Sequence, residues 1–391
     1  MFDEECHFEH PIRWGMVGGG RGSQIGYSHR NAAQRDGLFE LVAGAFDRNP
    51  SDCLDFGINI GLNADRCYAT YKEMFAVEAK RKKGIEAVSI ATPNSTHYEI
   101  CKAALEARLH VVCEKPITFA IEEALELKSI AKKNNCVIGV MYGYSGFPMV
   151  QQAREMVQRG CIGNVRVVNM QFAHGFHNEE HELTEPALRW RVTPEVSGPT
   201  YILGDIGTHV FYLCDFITGL KVKRLSCMRQ SFIKSRVPLE DNAHVMMEFN
   251  GGAVGTLWAS AVNAGAMHQQ KIRIVGEKAS IEWWDEQPNQ LRYEVQGEPV
   301  RVLERGMGYL YQDAIDVSPD RISGGHAEGY FESWANIYHR FALAFDAAKH
   351  NDVAKLSTIL FPNIDAGIDG VRLCEKCVES ADNNAVWVDY I

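Results

Sequence analysis

Lys115 closes the apolar run His110–Cys113 and Glu114, and it precedes Pro116. A lysine at the carboxyl end of a buried strand can bring its ammonium to a substrate hydroxyl and stabilise negative charge as it develops there. Further along, Gly204-Asp205-Ile206-Gly207-Thr208-His209 sets an acid and an imidazole four residues apart. On a helix these two share one face. Histidine exchanges a proton near neutral pH, and a neighbouring acid can fix its tautomer or hold a hydroxyl. Taken singly, each also has a plain reading: a surface lysine before a helix-starting proline, a helix-start acid, a satisfied core histidine.

Chemistry of this kind needs a frame, and Ile12 to Gly26, reading IRWGMVGGGRGSQIG, provides its start. A β-type run enters a glycine cluster and an amphipathic segment follows at once. That is the form of a strand, a tight turn and a helix whose N-terminus faces a phosphate, where a Cβ would hold the backbone away from a pyrophosphate. Asp47 ends the next apolar run, Leu41–Phe46. An acid there is placed to bind the ribose hydroxyls of NAD and repels a 2′-phosphate, although Arg48 beside it weakens that preference.

Up to about Tyr144, apolar runs at Ile12–Val17, Phe39–Phe46, Glu86–Ala91, His110–Cys113 and Val137–Met141 alternate with helical patterns. Continuous apolar strands separated by helices predict a doubly wound parallel sheet with ligand at the carboxyl ends of its strands. After a helical run at Met149–Arg159 the texture changes. β-type runs follow one another from Val165–Phe172 to Gln290–Val295, joined by turn signals such as Asn250-Gly251-Gly252, before helical patterns return at Tyr330–Lys349 and Asp365–Ala381. This predicts a second α/β domain with an open, mostly antiparallel sheet, and a boundary at 146/147: a Rossmann domain over 1–146 and a substrate-binding and oligomerisation domain over 147–391. An open sheet leaves one face for a partner copy, giving a homodimer or homotetramer.

The chain has 391 residues and a net charge of −10, which argues against a nucleic-acid partner. No run of about 18 apolar residues is present to span a bilayer. The start, Met1-Phe2-Asp3-Glu4-Glu5, is acidic and lacks the form of a signal peptide, and eleven scattered cysteines read as reduced thiols, so a cytoplasmic protein is expected. Cys374 and Cys377 lie within a helical pattern and have no second pair nearby. The stretch His174–Leu188 carries His174, His177 and His181 with Glu179, Glu180 and Glu182; the spacing suits zinc in principle, but a polar loop beside a substrate is the preferred reading, and no metal is expected.

Taken in order, the glycine turn, Thr92-Pro93-Asn94 with His97, Glu114-Lys115-Pro116, Trp190-Arg191 with Pro194-Glu195 and Ser197-Gly198, and Asp205-x-Gly207-x-His209 resemble the Gfo/Idh/MocA family, the glucose–fructose oxidoreductase and inositol dehydrogenase group. The resemblance covers nearly the whole chain. It implies catalytic positions at Lys115, Asp205 and His209. It implies cofactor contacts from Gly18, Gly20, Arg21, Ser23, Gln24, Ile25, Asp47, Arg48, Thr92, Pro93, Asn94, His97, Glu114, Lys115, Trp190 and Arg191. Substrate contacts fall to Lys115, His177, Arg191, Asp205, His209 and His326, the last in the glycine-rich loop Gly324-Gly325-His326. The turn departs from the usual G-x-G-x-x-G: either Ser23 takes the sixth place, or Gly26 does after an insertion. The resemblance implies an NAD-dependent dehydrogenase, with NADP as the second option, that oxidises a ring hydroxyl of a sugar or cyclitol. A redox-assisted glycosidase, an imine or enone reductase and a non-catalytic regulator are its competitors.

Overall fold

The computed structural model describes residues 8–185 and 188–391. The acidic start at Met1–Glu5 and the Pro186-Ala187 portion of the histidine-rich stretch lie outside the described residues. Two compact units form: residues 8–143 with Trp334–Ile368, and Tyr144–Ser333 with Asp369–Ile391. In one respect packing groups the chain differently from a single cut at 146/147, because Trp334–Ile368 belongs with the first unit.

The first unit is built on a parallel sheet of β1 (Ile12–Gly18), β2 (Phe39–Ala45), β3 (Ala87–Ala91), β4 (His110–Cys113) and β5 (Ile138–Val140), in the order β2-β1-β3-β4-β5. Both neighbours of β1 are reached by crossovers in opposite directions, so the topological switch lies at the carboxyl ends of β1 and β3. Gly18 is paired with Ala91 there. The strands are largely apolar because the sheet is buried: Trp14, Met16, Val88, Ile90, Val111 and Val140 are all sealed from solvent.

One surface of this sheet is packed by the helix Tyr330–Lys349. Tyr338 stands edge-on to Trp14 at 6.1 Å and to Phe39 at 5.3 Å; Phe345 stacks on His110 at 4.6 Å. A Cβ on Gly139 of β5 would meet the Phe341 ring at 2.2 Å. Positions 338, 341 and 345 follow the helical repeat, so a single aromatic stripe reaches β1, β2, β4 and β5.

The second unit contains a nine-stranded sheet of β6 (Val165–Ala173), β7 (Val222–Gln230), β8 (Asn242–Phe249), β9 (Val254–Ser260), β10 (Gln270–Gly276), β11 (Ala279–Trp284), β12 (Gln290–Val295), β13 (Arg301–Glu304) and β14 (Val388–Asp389). Its order is β13-β12-β11-β10-β6-β9-β8-β7-β14, antiparallel at every pairing except β6 with β9. Alternation is clear: Val168, Met170 and Phe172 of β6 and Ile272 and Ile274 of β10 are buried on one face. The helices Thr208–Thr218 and Pro148–Gln158 pack there.

Local physics settles the glycine turn. Ser23 is the N-cap of the helix Gln24–Gln34, its hydroxyl accepting from the Gly26 amide at 3.0 Å. Gly26 supplies the close approach: a Cβ on it would meet the Gly19 carbonyl oxygen at 2.1 Å and Gly19 Cα at 2.4 Å. Ser23 and Gly26 therefore divide the work that one sixth-place glycine would do. Arg30 clamps the turn from beneath, donating to the Gly19 carbonyl at 2.5 Å with its guanidinium 4.9 Å above the Phe56 ring. Gly26→Ala is expected to destabilise the protein by about 3 kcal/mol, since backbone must move. Gly22→Ala, whose Cβ meets nothing within 4 Å and is opposed only by a φ of +78°, should cost about 1 kcal/mol. Thermal unfolding of the two variants tests that order.

Candidate functional site

The carboxyl ends of β1, β3 and β4 gather the expected residues of the first unit. A Cβ on Gly18 would strike the Ala91 carbonyl oxygen and the Thr92 methyl, each at 2.6 Å, and one on Gly20 would strike the Phe46 carbonyl at 2.9 Å. The turn is thus bare backbone pressed on the ends of β2 and β3, followed by a helix N-terminus, which is the donor set and dipole a pyrophosphate needs. Asp47 sits exposed just past β2 and accepts from the Asn49 amide at 2.9 Å. Arg21 is also exposed and is ion-paired with Asp55.

Thr92-Pro93-Asn94 and Glu114-Lys115-Pro116 follow β3 and β4, and the Lys115–Pro116 peptide is cis. His97 ties these loops together. Its ring is fully enclosed, with Nδ1 2.7 Å from the Pro116 carbonyl and Nε2 3.0 Å from the Thr92 carbonyl. Burial lowers its pKa. Both ring nitrogens face backbone carbonyls, so His97 braces the two loops. Glu114 is nearly buried; one carboxylate oxygen lies 3.2 Å from His29 Nε2, and the other accepts from the Lys115 amide at 3.3 Å.

In the second unit, Asp205 lies in a π-helical turn, Leu203–Gly207, that leads directly into the helix Thr208–Thr218 carrying His209. The wider turn replaces the regular helix expected across the pair; π turns are frequent at functional positions. Asp205 and the Arg191 guanidinium form an ion pair at 3.7 Å, and Arg191 lies 4.7 Å over the Trp190 ring. His209 is buried, with Tyr144 edge-on at 5.0 Å and Phe172 at 6.3 Å.

Three residues the sequence reading passed over join this group. His268 packs on Phe172 at 4.5 Å, is hydrogen-bonded to Asp285 through Nδ1, and lies 3.3 Å from the Tyr144 hydroxyl through Nε2. Tyr201 stacks against His177 and bonds its Nδ1. Arg236, almost fully buried, grips Glu182 at 2.6 and 3.0 Å and the Glu179 carbonyl at 2.8 Å. Glu180 accepts from Ser235 at 2.5 Å. The Glu180 and Glu182 carboxylates and the Glu179 carbonyl thus anchor the histidine-rich stretch to the 231–241 segment. Among the described residues, no group of three or more His, Cys, Asp or Glu side chains is gathered to hold a metal ion. His326 lies apart from these rings, exposed on the loop that Arg305 pins by bonds to Asp320 at 2.9 Å and to the His326 carbonyl at 2.6 Å.

Electrostatics distinguishes the histidines. Burial pushes His174 down from 6.5 to about 4, the charge of Asp205 opposing and those of His177, His268 and Arg191 adding to the shift. His177 is lowered as well, by burial and then by Arg191. Neutral imidazoles beside Asp205 and Arg191 form a polar lining suited to hydroxyl groups.

Fold and turn together define a dinucleotide-binding protein of two α/β domains. Comparison with known proteins is consistent with this: residues 12–142 match the GFO_IDH_MocA oxidoreductase family, NAD-binding Rossmann fold, and residues 154–390 match its C-terminal alpha/beta domain. The chain belongs to that family. An uncharacterised oxidoreductase of Bacillus subtilis, YfiI, is 53% identical over 393 residues, all of both chains. An inositol dehydrogenase homologue from Azotobacter vinelandii, solved with NAD+, is 56% identical with a TM-score of 0.97 over 100% of both chains. The same homologue solved with NADH and myo-inositol is 56% identical with a TM-score of 0.93, covering 98% of each. NAD is the cofactor class, and the chain is an oxidoreductase. No described helix is long and apolar enough to cross a membrane.

His174 yields a pH prediction. The folded chain resists a proton that the unfolded chain accepts, so the folded pKa lies below the unfolded value. Stability is then complete above about 6.5 and falls as the pH drops through the window from 6.5 to about 4. The slope is about 1.4 kcal/mol per pH unit for each such histidine. Burial pushes His110 to about 4 as well, so His174→Asn should remove only part of the acid sensitivity. Urea unfolding above and below the window measures it; an unchanged slope in the variant would contradict the assignment.

Proposed function

We propose that the protein is an NAD-dependent dehydrogenase that oxidises a ring hydroxyl of a cyclitol, with inositols as the substrate class. The observation that carries this reading is that a chain with Lys115 just past β4, and with Asp205 and His209 on one polar turn, is 56% identical to an inositol dehydrogenase homologue solved with NADH and myo-inositol. When bound, NAD supplies the hydride acceptor. His209 takes the proton of the reacting hydroxyl. Lys115 donates to the same oxygen and stabilises its developing charge. Asp205, paired with Arg191, orients the substrate or the histidine, while His177 and Arg191 bind further hydroxyls, with His326 joining from its loop.

For the cofactor, the bare turn at Gly18 and Gly20 with Arg21, Ser23, Gln24 and Ile25 would cradle the pyrophosphate. Asp47 beside Arg48 would take the ribose hydroxyls, favouring NAD over NADP. Thr92, Pro93, Asn94 and Glu114 would border the nicotinamide with Lys115, and Trp190 with Arg191 would close on it. The ten described cysteines are all free, which supports a cytoplasmic setting.

The assembly reading rests on the outer face of the large sheet. Met228, Met246 and Val254 are about half exposed there, and His244 stacks on Trp258 at 5.8 Å. Apolar side chains in a row on an open sheet suit a second copy of the chain.

NADH formation on a panel of inositol isomers, hexoses and glucosides tests the function. Hydroxyl-dependent NADH with at least one inositol is expected, and Lys115→Ala or His209→Asn should lower kcat by about 100- to 10,000-fold. Free sugar released from a glucoside without net NADH would replace this reading with the glycosidase. Light scattering tests assembly: the wild type should exceed its monomer mass of 43.8 kDa, and Met228→Lys with Met246→Lys should return it to that mass. A monomeric wild type sinks the assembly reading.

A further inference from the structure

A line of hydrogen bonds runs through the first unit to the residue beside Lys115. Trp14 Nε1 donates to Ser89 Oγ at 2.9 Å. Ser89 Oγ lies 2.7 Å from the Tyr338 hydroxyl, which lies 2.6 Å from His29 Nδ1. His29 Nε2 lies 3.2 Å from one oxygen of Glu114, whose other oxygen accepts from the Lys115 amide at 3.3 Å. Trp14, Ser89 and His29 are fully buried, Tyr338 is 1% exposed and Glu114 8%.

The two ends fix the direction of every bond between them. An indole N–H can only donate, and an ionised carboxylate can only accept. Donation must therefore pass from Trp14 to Ser89, from Ser89 to Tyr338, from Tyr338 to His29 Nδ1, and from His29 Nε2–H to Glu114. His29 thus accepts at Nδ1 and donates from Nε2. Any other arrangement leaves a sealed hydroxyl or ring nitrogen without a complement, and a chain aligned one way strengthens each of its members.

We propose that Tyr338 and His29 are positioning residues for the cofactor end of the site: by fixing the His29 ring they hold the Glu114 carboxylate on the Lys115 backbone, in register for the nicotinamide. This rests on the proposed place of Glu114 and Lys115 beside that ring. Tyr338→Phe removes the hydroxyl that donates to Nδ1 and leaves that sealed ring nitrogen without a partner. The His29 ring is then held at its Glu114 end alone, and the carboxylate loses its fixed position. His29→Gln keeps the function, since an amide carbonyl can accept from Tyr338 while the amide NH2 donates to Glu114.

The test uses the full-length protein and titrates it with NADH, with no substrate present. Tyr338→Phe is expected to weaken NADH binding about tenfold, and His29→Gln to stay within about threefold of wild type. Selective 15N labelling of histidine should show His29 protonated on Nε2 in the wild type, with the Nδ1 resonance moved in Tyr338→Phe as that nitrogen loses its hydrogen bond. Wild-type His29 carrying its proton on Nδ1, or Tyr338→Phe binding NADH as wild type does, overturns the proposal. Should Tyr338→Phe fail to fold, the wild-type tautomer and the His29→Gln titration decide alone. Glu114→Gln separates the layers: weakened NADH binding there but not in Tyr338→Phe removes the positioning role only, and no effect in either removes the place given to Glu114 as well. A wild type that binds NADH yet oxidises no inositol refutes the substrate reading and leaves these arms standing.

Discussion

The contact between the backbones of Gly19 and Gly26 leaves no space for a side chain, and much of the first unit depends on it. Because the helix Gln24–Gln34 can settle onto the turn, its N-terminus faces the strand ends and His29, one turn further on, is carried into the interior. There it meets Tyr338 on one side and Glu114 on the other. A methyl group at residue 26 would displace the helix, and with it the histidine that touches the carboxylate. Steric closeness at one pair of glycines is thereby converted into the orientation of a charge about a helical turn away.

The second unit solves a different problem with the same economy of polar groups. A stretch rich in histidine and glutamate would repel itself and stay wet if left unanchored. Arg236 draws two of its acidic residues inward, Glu182 by a bidentate ion pair and Glu179 by its carbonyl. Burying an arginine is tolerable only because every arm of the guanidinium meets an acceptor. The result is a stretch tied down at its acids, with His174 and His177 kept neutral among aromatic rings and near Asp205.

Both sheets were legible in the sequence because burial writes itself plainly into strands. Parallel strands covered on both faces are unbroken apolar runs, as in Val111–Cys113, and the large sheet alternates, as in β8. Strand-end residues such as Lys115 and Glu114 could be named for the same reason. Partners brought together across long separations could not. The helix Tyr330–Lys349 was predictable as a helix, but its periodicity only says that an apolar stripe exists, not that Tyr338 meets His29 309 residues away. His268 and Asp285 lie 17 residues apart on a β-hairpin, where neither residue type nor spacing marks them as a pair. Tyr144 sits in a short irregular turn with no pattern of its own. His97 was named from its place in a motif, but that its ring braces two loops could not be read there.

The helix that completes the nucleotide-binding unit is encoded after every strand of the large sheet except the short β14. On a ribosome, residues 8–143 emerge first, yet Trp334–Ile368 must follow before Trp14, Phe39 and His110 have their cover. The 190 residues from 144 to 333 take about 10–40 s to synthesise at about 5–20 residues per second. For that interval the nascent parallel sheet has one aromatic flank unroofed, and its maturation is tied to synthesis of nearly the entire chain. Order of translation and order of folding therefore run in different directions in this protein, with the first strand made among the last to be sealed.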